Sequence, residues 1–271
     1  MPRYEVPSYL NYNVARTSEE LMKYIRSQVD KAGADGVVVG LSGGVDSSVV
    51  TALATKALGV NKVHVLIMPD KESNPEDISD AWYLVRELGL INVRYIDITE
   101  IVEDLLRAFG TDYLSAPKLP KGNVKVRTRM ILLYYLANTY NLLVLGTSDR
   151  SEYLLGFFTK WGDGAADIYP IVKLYKTQVR VLAEYLGIPE RIAWKPSSPG
   201  LWLGHKASDE LGAEYDIIDK VLYHLIDLKL DPVEVSRRTE VTLEFVNKII
   251  RRIELNKHKR IPPEEPPSPI A

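Results

Sequence analysis

The segment that best indicates the fold is Gly40-Leu41-Ser42-Gly43-Gly44-Val45-Asp46-Ser47-Ser48, which directly follows the apolar run of residues 37–39. An apolar run, two glycines and a serine-rich helical segment predict a strand, a tight turn and a helix over Ser47–Leu58. Gly43 and Gly44 have no Cβ, so the backbone can turn sharply and its N–H groups can converge on an anion. The helix N-terminus and the serine hydroxyls add favourable partial charges, so this stretch predicts a phosphate-binding loop.

The loop differs from two common phosphate loops. The lysine of the Walker motif G-x-x-x-x-G-K-[ST] is missing, and no third glycine follows as in a dinucleotide fingerprint. A turn capped by serines would explain the glycines without any ligand. It would not explain Asp46 beside three serines, whereas a carboxylate next to a polyphosphate is expected where Mg²⁺ lies between them. The loop therefore favours a nucleotide site with a metal.

Composition and charge narrow the class of protein. The chain has 271 residues, of which 46% are hydrophobic and 26% are charged, and its formal net charge is −2. These values suit a globular protein with a buried core and give no basic footprint for nucleic acid. The sequence shows neither a membrane-spanning apolar stretch nor a signal-peptide pattern, so we expect a cytoplasmic protein. The absence of cysteine excludes disulfides and thiolate catalysis.

Strands and helices alternate over the first half of the chain. The predicted strands cover residues 37–41, 63–68, 93–98 and 142–146, and the predicted helices cover residues 17–32, 47–58, 75–88, 100–109 and 124–140. A loop containing Pro117, Pro120 and Gly122 precedes the last of these helices. This alternation predicts an α/β protein with a doubly wound parallel sheet that binds ligands outside the carboxyl ends of its strands.

Helices alone follow in the second half. They are predicted at residues 173–186, 215–228, 232–238 and 243–256, as additions to the α/β unit. Residues 1–261 are expected to form one domain. Residues 262–271 are rich in Pro and Glu and are expected to be a disordered tail.

Four later segments contain polar residues suited to a nucleotide site. Thr147 and Glu152 belong to G-T-S-D-R-S-E, which follows a predicted strand at the sheet edge where the first loop lies, so Glu152 can reach the same metal as Asp46. Three basic residues begin the predicted helix at Val124, where cations oppose the helix dipole and a bound anion would explain them. The other segments are Thr159–Asp167, T-K-W-G-D-G-A-A-D, and the small-residue loop Pro196–Trp202. Each segment alone is weak evidence, and a lysine and an aspartate in a glycine-rich loop more often belong to a solvated surface than to a site.

In this order and spacing the segments resemble the NAD synthetases over about residues 15–260. The sequence S-G-G-V-D-S resembles the PP-loop of ATP pyrophosphatases, which cleave ATP between the α and β phosphates. The resemblance implies an adenine-nucleotide α-hydrolase-like fold and a homodimer. It also implies a ligase that adenylates the carboxylate of deamido-NAD with ATP and Mg²⁺, after which ammonia displaces AMP to give NAD.

The resemblance further implies roles for the residues that match the motifs. Mg²⁺ would be held by Asp46 and Glu152, and the catalytic residues would be Asp46, Lys176 and Asp167, with Asp167 holding or deprotonating ammonium. The residues implied to contact ATP are Gly40, Leu41, Ser42, Gly43, Gly44, Val45, Asp46, Ser47, Thr147, Lys176 and Ser198. Those implied to contact deamido-NAD are Arg127, Lys160, Asp167, His258 and Lys259. Residues 203–210 depart from the Gln-Thr-Asp-Glu-like run common in the family, so residues 204–208 receive no role.

Other interpretations stay open at this point. Glutamine-using relatives carry an amidase domain with a cysteine nucleophile, so this chain is expected to use free ammonia or ammonia from a separate subunit. A different PP-loop enzyme, of GMP-synthetase or tRNA-modifying type, would share the first loop but not the segment K-W-G-D-G-A-A-D. A nucleotide sensor or a DNA-binding protein would use residues 231–248, which faintly resemble a helix–turn–helix, although the weak net charge disfavours nucleic acid.

Overall fold

A four-stranded parallel sheet organises the fold in this computed structural model, which describes residues 10–263. Its strands are β1 (Gly36–Gly40), β2 (Val63–Ile67), β3 (Asn92–Tyr95) and β4 (Leu142–Val144). They lie in the order β3-β2-β1-β4, so the chain winds in both directions from β1. The carboxyl ends of β1 and β4 therefore border the crevice where doubly wound sheets bind ligands. The predicted α/β class and sheet are confirmed.

Helices surround and extend this sheet. They are α1 (Val14–Ala32), α2 (Val45–Leu58), α3 (Pro75–Glu87), α4 (Thr99–Ala108), α5 (Lys118–Tyr140), α6 (Arg150–Leu155), α7 (Lys176–Tyr185), α8 (Glu190–Ala193), α9 (Ala207–Leu211), α10 (Tyr215–Leu222), α11 (Pro232–Thr239) and α12 (Leu243–Leu255). A π-helical turn, Tyr223–Asp227, follows α10. Within the described range, no helix is both long and apolar enough to cross a membrane.

The central strand is buried on both faces. Val37 and Val39 pack in one cluster with Ile25 of α1, whereas Val38 packs in another with Leu136 of α5. Successive strand residues point to opposite faces, so the run of valines packs against helices on both faces of the sheet. This explains why β1 is uniformly apolar instead of alternating.

The C-terminal helices form a third apolar cluster. Ile218 of α10, Val235 of α11 and Val246 of α12 are fully buried together with Leu155 of α6. The predicted helical additions are thus present, and they pack against the short helix that follows β4. The C-terminal helices therefore contact the part of the chain that borders the ligand crevice.

Helix α5 begins at Lys118, so the prediction of a loop up to residue 123 is wrong. Pro120 lies in the first turn, where a backbone N–H has no intrahelical partner to lose. Gly122 faces Leu201 so closely that an added Cβ would lie 3.0 Å from the Leu201 Cβ. Arg127 therefore lies more than two turns inside the helix, so the prediction that Lys125, Arg127 and Arg129 lie at a helix N-terminus is wrong as well.

The remaining differences concern element ends and short helices. The predicted helix 215–228 is α-helical only to Leu222, and α6, α8 and α9 were not predicted because each spans six residues or fewer. The predicted tail begins at Pro262, and its residues 264–271 lie outside the described residues.

Candidate active site

The glycine-rich loop is closed by its own serines. Ser42 and Ser47 place their hydroxyl oxygens 3.0 Å apart, and the Ser42 N–H donates to the Ser47 hydroxyl. Gly44 caps α2, and its carbonyl accepts hydrogen bonds from the hydroxyls of Ser47 (3.1 Å) and Ser48 (2.7 Å). The N–H groups in the first turn of a helix have no intrahelical partner, so this geometry presents donors where a phosphate can bind.

Gly43 allows the loop to pack directly on α3. Its φ is +84°, and an added Cβ would lie 2.0 Å from the Asp77 carbonyl oxygen. Behind the turn, Lys195 Nζ donates to the Gly43 carbonyl at 3.3 Å and to the carboxylates of Asp77 and Asp80. Only glycine fits this position, and Lys195 ties the turn to α3.

A fully buried lysine forms ion pairs with three carboxylates at the crevice. Lys176 begins α7, and its Nζ lies 2.6 Å from Asp46, 2.8 Å from Glu152 and 3.0 Å from Asp149. One oxygen from each carboxylate lies within 4.8 Å of the others. The structure brings together Asp46 and Glu152, which were expected to share one metal, and it places beside them Lys176, which the family resemblance assigned to ATP. Asp149, which the sequence analysis did not select, completes the cluster.

Burial and charge shift the pKa values in this cluster. Burial raises the pKa of Asp149 to about 6 and raises that of Glu152 well above its ordinary range, although the Lys176 ammonium opposes both shifts. Burial alone would lower the pKa of Lys176, but the three carboxylates outweigh it and raise that pKa well above normal. Lys176 is therefore charged at neutral pH and is the counter-ion of the cluster.

The donor set fits a hard divalent cation. Asp46 Oδ1 is buried and accepts no hydrogen bond. A buried oxygen without a partner is costly, and a cation that takes oxygen ligands would satisfy it. The three carboxylates exceed the single charge of Lys176, so the cluster retains the negative charge that binds such an ion.

One carboxylate supports the cluster from the C-terminal helices. Asp219 of α10 is fully buried and accepts hydrogen bonds from the Ser151 hydroxyl (2.5 Å) and from the N–H and hydroxyl of Thr177 (both 2.8 Å). The Ser151 hydroxyl oxygen in turn accepts the Lys176 N–H at 3.1 Å. Asp219 thus joins the first turns of α6 and α7. A carboxylate on the apolar face of α10, between Ile218 and Leu222, is the sequence signal that could have revealed it.

A second group of predicted residues meets on one surface. Arg127 donates to the Lys160 carbonyl at 3.2 Å, and Lys160 Nζ donates to the His258 carbonyl at 2.6 Å. Lys259 Nζ donates to the carbonyls of Gly156 and Phe158, in the segment that follows α6. Four of the five residues expected to contact deamido-NAD are therefore neighbours, although they come from three distant parts of the chain.

Three other predicted residues lie apart from these groups. Asp167 accepts hydrogen bonds from the Tyr134 hydroxyl (3.3 Å) and the Val144 N–H (2.7 Å), at the end of β4. Thr147 is half-buried just beyond β4, and Ser198 is exposed in the loop between α8 and α9. Their roles toward ATP or ammonium remain predictions.

The three basic residues of segment 122–130 in α5 are two that pair with groups of the protein, Lys125 and Arg129, and one that is exposed, Arg127. Lys125 is fully buried and pairs with Asp70, beyond the end of β2, and with Glu72. Arg129 donates to the Met68 carbonyl at 2.9 Å. Carboxylates and a carbonyl of the protein thus explain two of the three cations, and no ligand anion is needed for them. Arg127 is the exposed cation of this segment.

The structure thus places a glycine-rich loop after β1 beside a carboxylate–lysine cluster at the switch point of a parallel sheet, which is the arrangement of an α/β protein of PP-loop type. The family model for NAD synthase matches residues 17–263. The chain belongs to the NAD synthase family.

Individual relatives agree with this assignment. The NH(3)-dependent NAD(+) synthetase of Staphylothermus marinus is 45% identical over 267 residues, which are 97% of this chain and 95% of that protein. The solved NMN synthetase of Francisella tularensis is 33% identical with a TM-score of 0.83, over 95% of this chain and 100% of that one. The NH3-dependent NAD synthetase of Campylobacter jejuni, solved with a nitrate ion, is 31% identical with a TM-score of 0.79, over 94% and 99% of the two chains.

Proposed function

We propose that this protein is an ammonia-dependent NAD synthetase. It is a ligase that uses ATP to convert the nicotinate carboxylate of deamido-NAD into the amide of NAD, with release of AMP and pyrophosphate. The observation that carries the proposal is the meeting of the phosphate loop with Lys176, Asp46 and Glu152 in the crevice between β1 and β4. Membership of the NAD synthase family supports the same reaction.

The reaction needs an activated carboxylate. A carboxylate is a poor electrophile until one of its oxygens becomes part of a leaving group, and adenylation provides that group. The N–H groups at the start of α2 and the Lys176 ammonium supply positive charge to the departing pyrophosphate. A Mg²⁺ held by Asp46 and Glu152, with Asp149 beside them, would add to that neutralisation. The remaining contribution of the chain is to hold the carboxylate against the α-phosphorus of ATP.

The second substrate is assigned to the cationic surface formed by Arg127, Lys160, His258 and Lys259. A dinucleotide carries a pyrophosphate, which suits several cations placed close together. Asp167 remains the candidate for holding or deprotonating ammonium, and Thr147 and Ser198 remain candidates for contacts with ATP. The 271 residues include no cysteine, so they offer no thiol to attack glutamine, which supports ammonia as the nitrogen source.

We also propose a homodimer. Ile131 and Tyr135 are four residues apart on α5, so they share one face, and they are 57% and 68% exposed. Phe109, directly after α4, is 88% exposed. Large apolar groups left open to water on adjacent helices favour a protein interface. Light scattering should give twice the chain mass, and Tyr135→Glu should lower it.

Three smaller expectations accompany these proposals. We propose that residues up to 261 act as one unit and that the Pro-rich tail is dispensable. A cytoplasmic location, without membrane or nucleic-acid partners, stays a prediction from composition. Expression of a chain that ends at Arg260 tests whether the tail is dispensable.

One assay tests the proposed activity. The protein is mixed with Mg-ATP, deamido-NAD and ammonium, and NAD, AMP and pyrophosphate should appear in equal amounts. Glutamine in place of ammonium should give no product. Nicotinate mononucleotide is offered as the competing substrate, and amidation of the mononucleotide but not of deamido-NAD would overturn the proposal.

A variant links the assay to the carboxylate cluster. Asp46→Asn should nearly abolish turnover, and high Mg²⁺ should restore part of it because the metal site loses one charged ligand. Asp30→Asn changes an exposed carboxylate on α1 and is the matched control. Normal turnover by Asp46→Asn at low Mg²⁺ would remove Asp46 from the site.

A further inference from the structure

Trp161 combines exposure with an unfavourable backbone conformation. Its φ is +60°, in the left-handed region that bulky residues rarely adopt, and the residue is 52% exposed. An exposed indole gains little from burial, so packing does not explain why tryptophan occupies this position. Strained residues persist where their surroundings enforce them, and they concentrate at ligand sites.

The surroundings of Trp161 hold its backbone firmly. On one side, the Thr159 N–H donates to Asp163 at 2.7 Å and its hydroxyl donates to Asn123 of α5 at 2.8 Å. On the other side, Gly162 packs so closely on α5 that an added Cβ would lie 2.8 Å from Val126 Cγ1. The segment is therefore anchored to α5 on both sides of a tryptophan that faces solvent.

A cation lies beside the indole. Lys160 Nζ lies 5.3 Å from the centroid of the Trp161 ring and donates to the His258 carbonyl, and the Lys160 carbonyl accepts a hydrogen bond from Arg127. A flat aromatic surface next to positive charges suits a base linked to phosphate, because the ring stacks on the base while the cations bind the phosphates. The chemistry around Trp161 is thus that of a nucleotide contact.

We infer that the Trp161 indole is the stacking platform for the adenine base of the dinucleotide, and that it favours deamido-NAD over nicotinate mononucleotide. This inference rests on the proposed function and deepens it. The reacting carboxylate must approach the buried Lys176 cluster, so an exposed platform suits the non-reacting end of the substrate. The mononucleotide has no second base and gains nothing from the indole.

Steady-state kinetics with both substrates test the inference. Trp161→Ala should raise KM for deamido-NAD by about tenfold or more, within the roughly 5- to 150-fold range for one stacked base. The value of kcat, KM for ATP and KM for nicotinate mononucleotide should each stay within about twofold. Trp161→Phe should restore most of the affinity. Tyr24→Ala, which truncates an exposed aromatic side chain on α1, is the matched control.

A second variant separates binding from folding. Trp161→Gly relieves the left-handed strain, so its melting temperature should equal or exceed that of the wild type while its KM for deamido-NAD rises as in Trp161→Ala. A clearly lower melting temperature with an unchanged KM would assign the indole to packing and overturn the inference. Binding of deamido-NAD should also quench tryptophan fluorescence less in Trp161→Phe than in the wild type.

Each other outcome has one meaning. If wild-type protein does not amidate deamido-NAD at all, the proposed function fails and the inference fails with it. If wild-type protein is active and Trp161→Ala leaves KM unchanged, only the inference fails. Equal increases in KM for both substrates would place the indole on the nicotinate half instead. A lower mass by light scattering, with KM unchanged, would make Trp161 a subunit contact.

Discussion

Asp219 accepts two 2.8 Å hydrogen bonds from Thr177, one from its backbone N–H and one from its hydroxyl. Thr177 follows Lys176 directly, and Ser151, the third donor to Asp219, precedes Glu152. One buried carboxylate of α10 therefore sets the relative positions of the ammonium and a carboxylate of the site. The C-terminal helices are in this way part of the apparatus that shapes the crevice.

Replacement of Asp219 by Asn should weaken the site. An amide places an NH₂ group against donors and cannot accept all three hydrogen bonds. We expect kcat and affinity for Mn²⁺, used as a probe for Mg²⁺, to fall by about 10- to 100-fold, as for other groups that orient metal ligands. Val221→Ala removes buried volume from the same helix and is the control. Equal effects of the two variants on Mn²⁺ affinity, measured by paramagnetic resonance, would refute a positioning role.

The same carboxylate should leave a pH signature on stability. Burial raises the pKa of Asp219 to about 7 from the ordinary value of 3.8. Between these values the folded protein binds the proton more tightly than the unfolded chain, so the contribution of Asp219 to stability falls as pH rises from about 4 to 7. We expect the free energy of unfolding of the wild type, relative to that of Asp219→Asn, to increase by on the order of 2–3 kcal/mol when the pH is lowered from 8 to 5. Urea unfolding at the two pH values measures this difference. A difference independent of pH would contradict this assignment.

Removal of the buried ammonium should destabilise the protein, because the carboxylates of the cluster would then repel one another. Lys176→Met leaves three carboxylates without their counter-ion, and we expect the free energy of unfolding at pH 8 to fall by about 3–5 kcal/mol. Added Mg²⁺ should stabilise this variant more than the wild type, because the ion replaces the lost positive charge. Lys23→Met, at an exposed lysine of α1, should behave like wild type in thermal unfolding. An identical response of Lys176→Met and wild type to Mg²⁺ would rule out a cation site there.

Two glycines with positive φ should respond differently to an added methyl group. Gly33, at the end of α1, has open space around a Cβ, so Gly33→Ala should cost only the left-handed penalty of about 1–2 kcal/mol. At Gly43 the Cβ would lie 2.0 Å from the Asp77 carbonyl, so Gly43→Ala should destabilise more and weaken ATP binding by calorimetry. Similar losses in both variants would mean that the turn can move away from α3.

Truncation should separate the tail from the last cationic residues. Lys259 and Arg260 donate to the carbonyls of Gly156, Phe158 and Leu154, so they hold the segment that follows α6. A chain that ends at Arg260 should keep its activity and melting temperature. One that ends at Asn256 should melt earlier and lose affinity for deamido-NAD far more than for ATP. An unchanged KM for deamido-NAD in the shorter chain would reduce these residues to a structural role.

The alternation of apolar runs with capped helices was enough to predict the parallel sheet. Parallel strands carry their carboxyl ends to one edge, so the loop after β1 and the motif after β4 could be placed together, and Asp46 and Glu152 do meet. The start of α5 was missed because Pro120 and Gly122 are typical of loops. A proline in the first turn breaks no hydrogen bond, and sequence patterns do not show which turn it occupies.

The sequence could not predict which side chains pair with one another when the two residues lie far apart in the chain. The burial of Lys125 depends on Asp70 and Glu72, more than fifty residues earlier, and Asp219 depends on Thr177, forty-two residues earlier. Charge patterns within a helix carry no information about such pairs, because the partner is chosen by packing. A basic residue on α5 could therefore be assigned to a ligand when its counter-ion belonged to the protein.

The position of Lys176 among the three carboxylates also bears on how the chain folds. Its ammonium neutralises part of their charge, so we expect the acidic groups to assemble during folding whether or not an ion is bound. Small zinc domains behave in the opposite way, since removal of their metal unfolds them. For this protein a chelator should stop turnover yet leave the circular dichroism spectrum intact, so we expect the metal-free chain to stay folded.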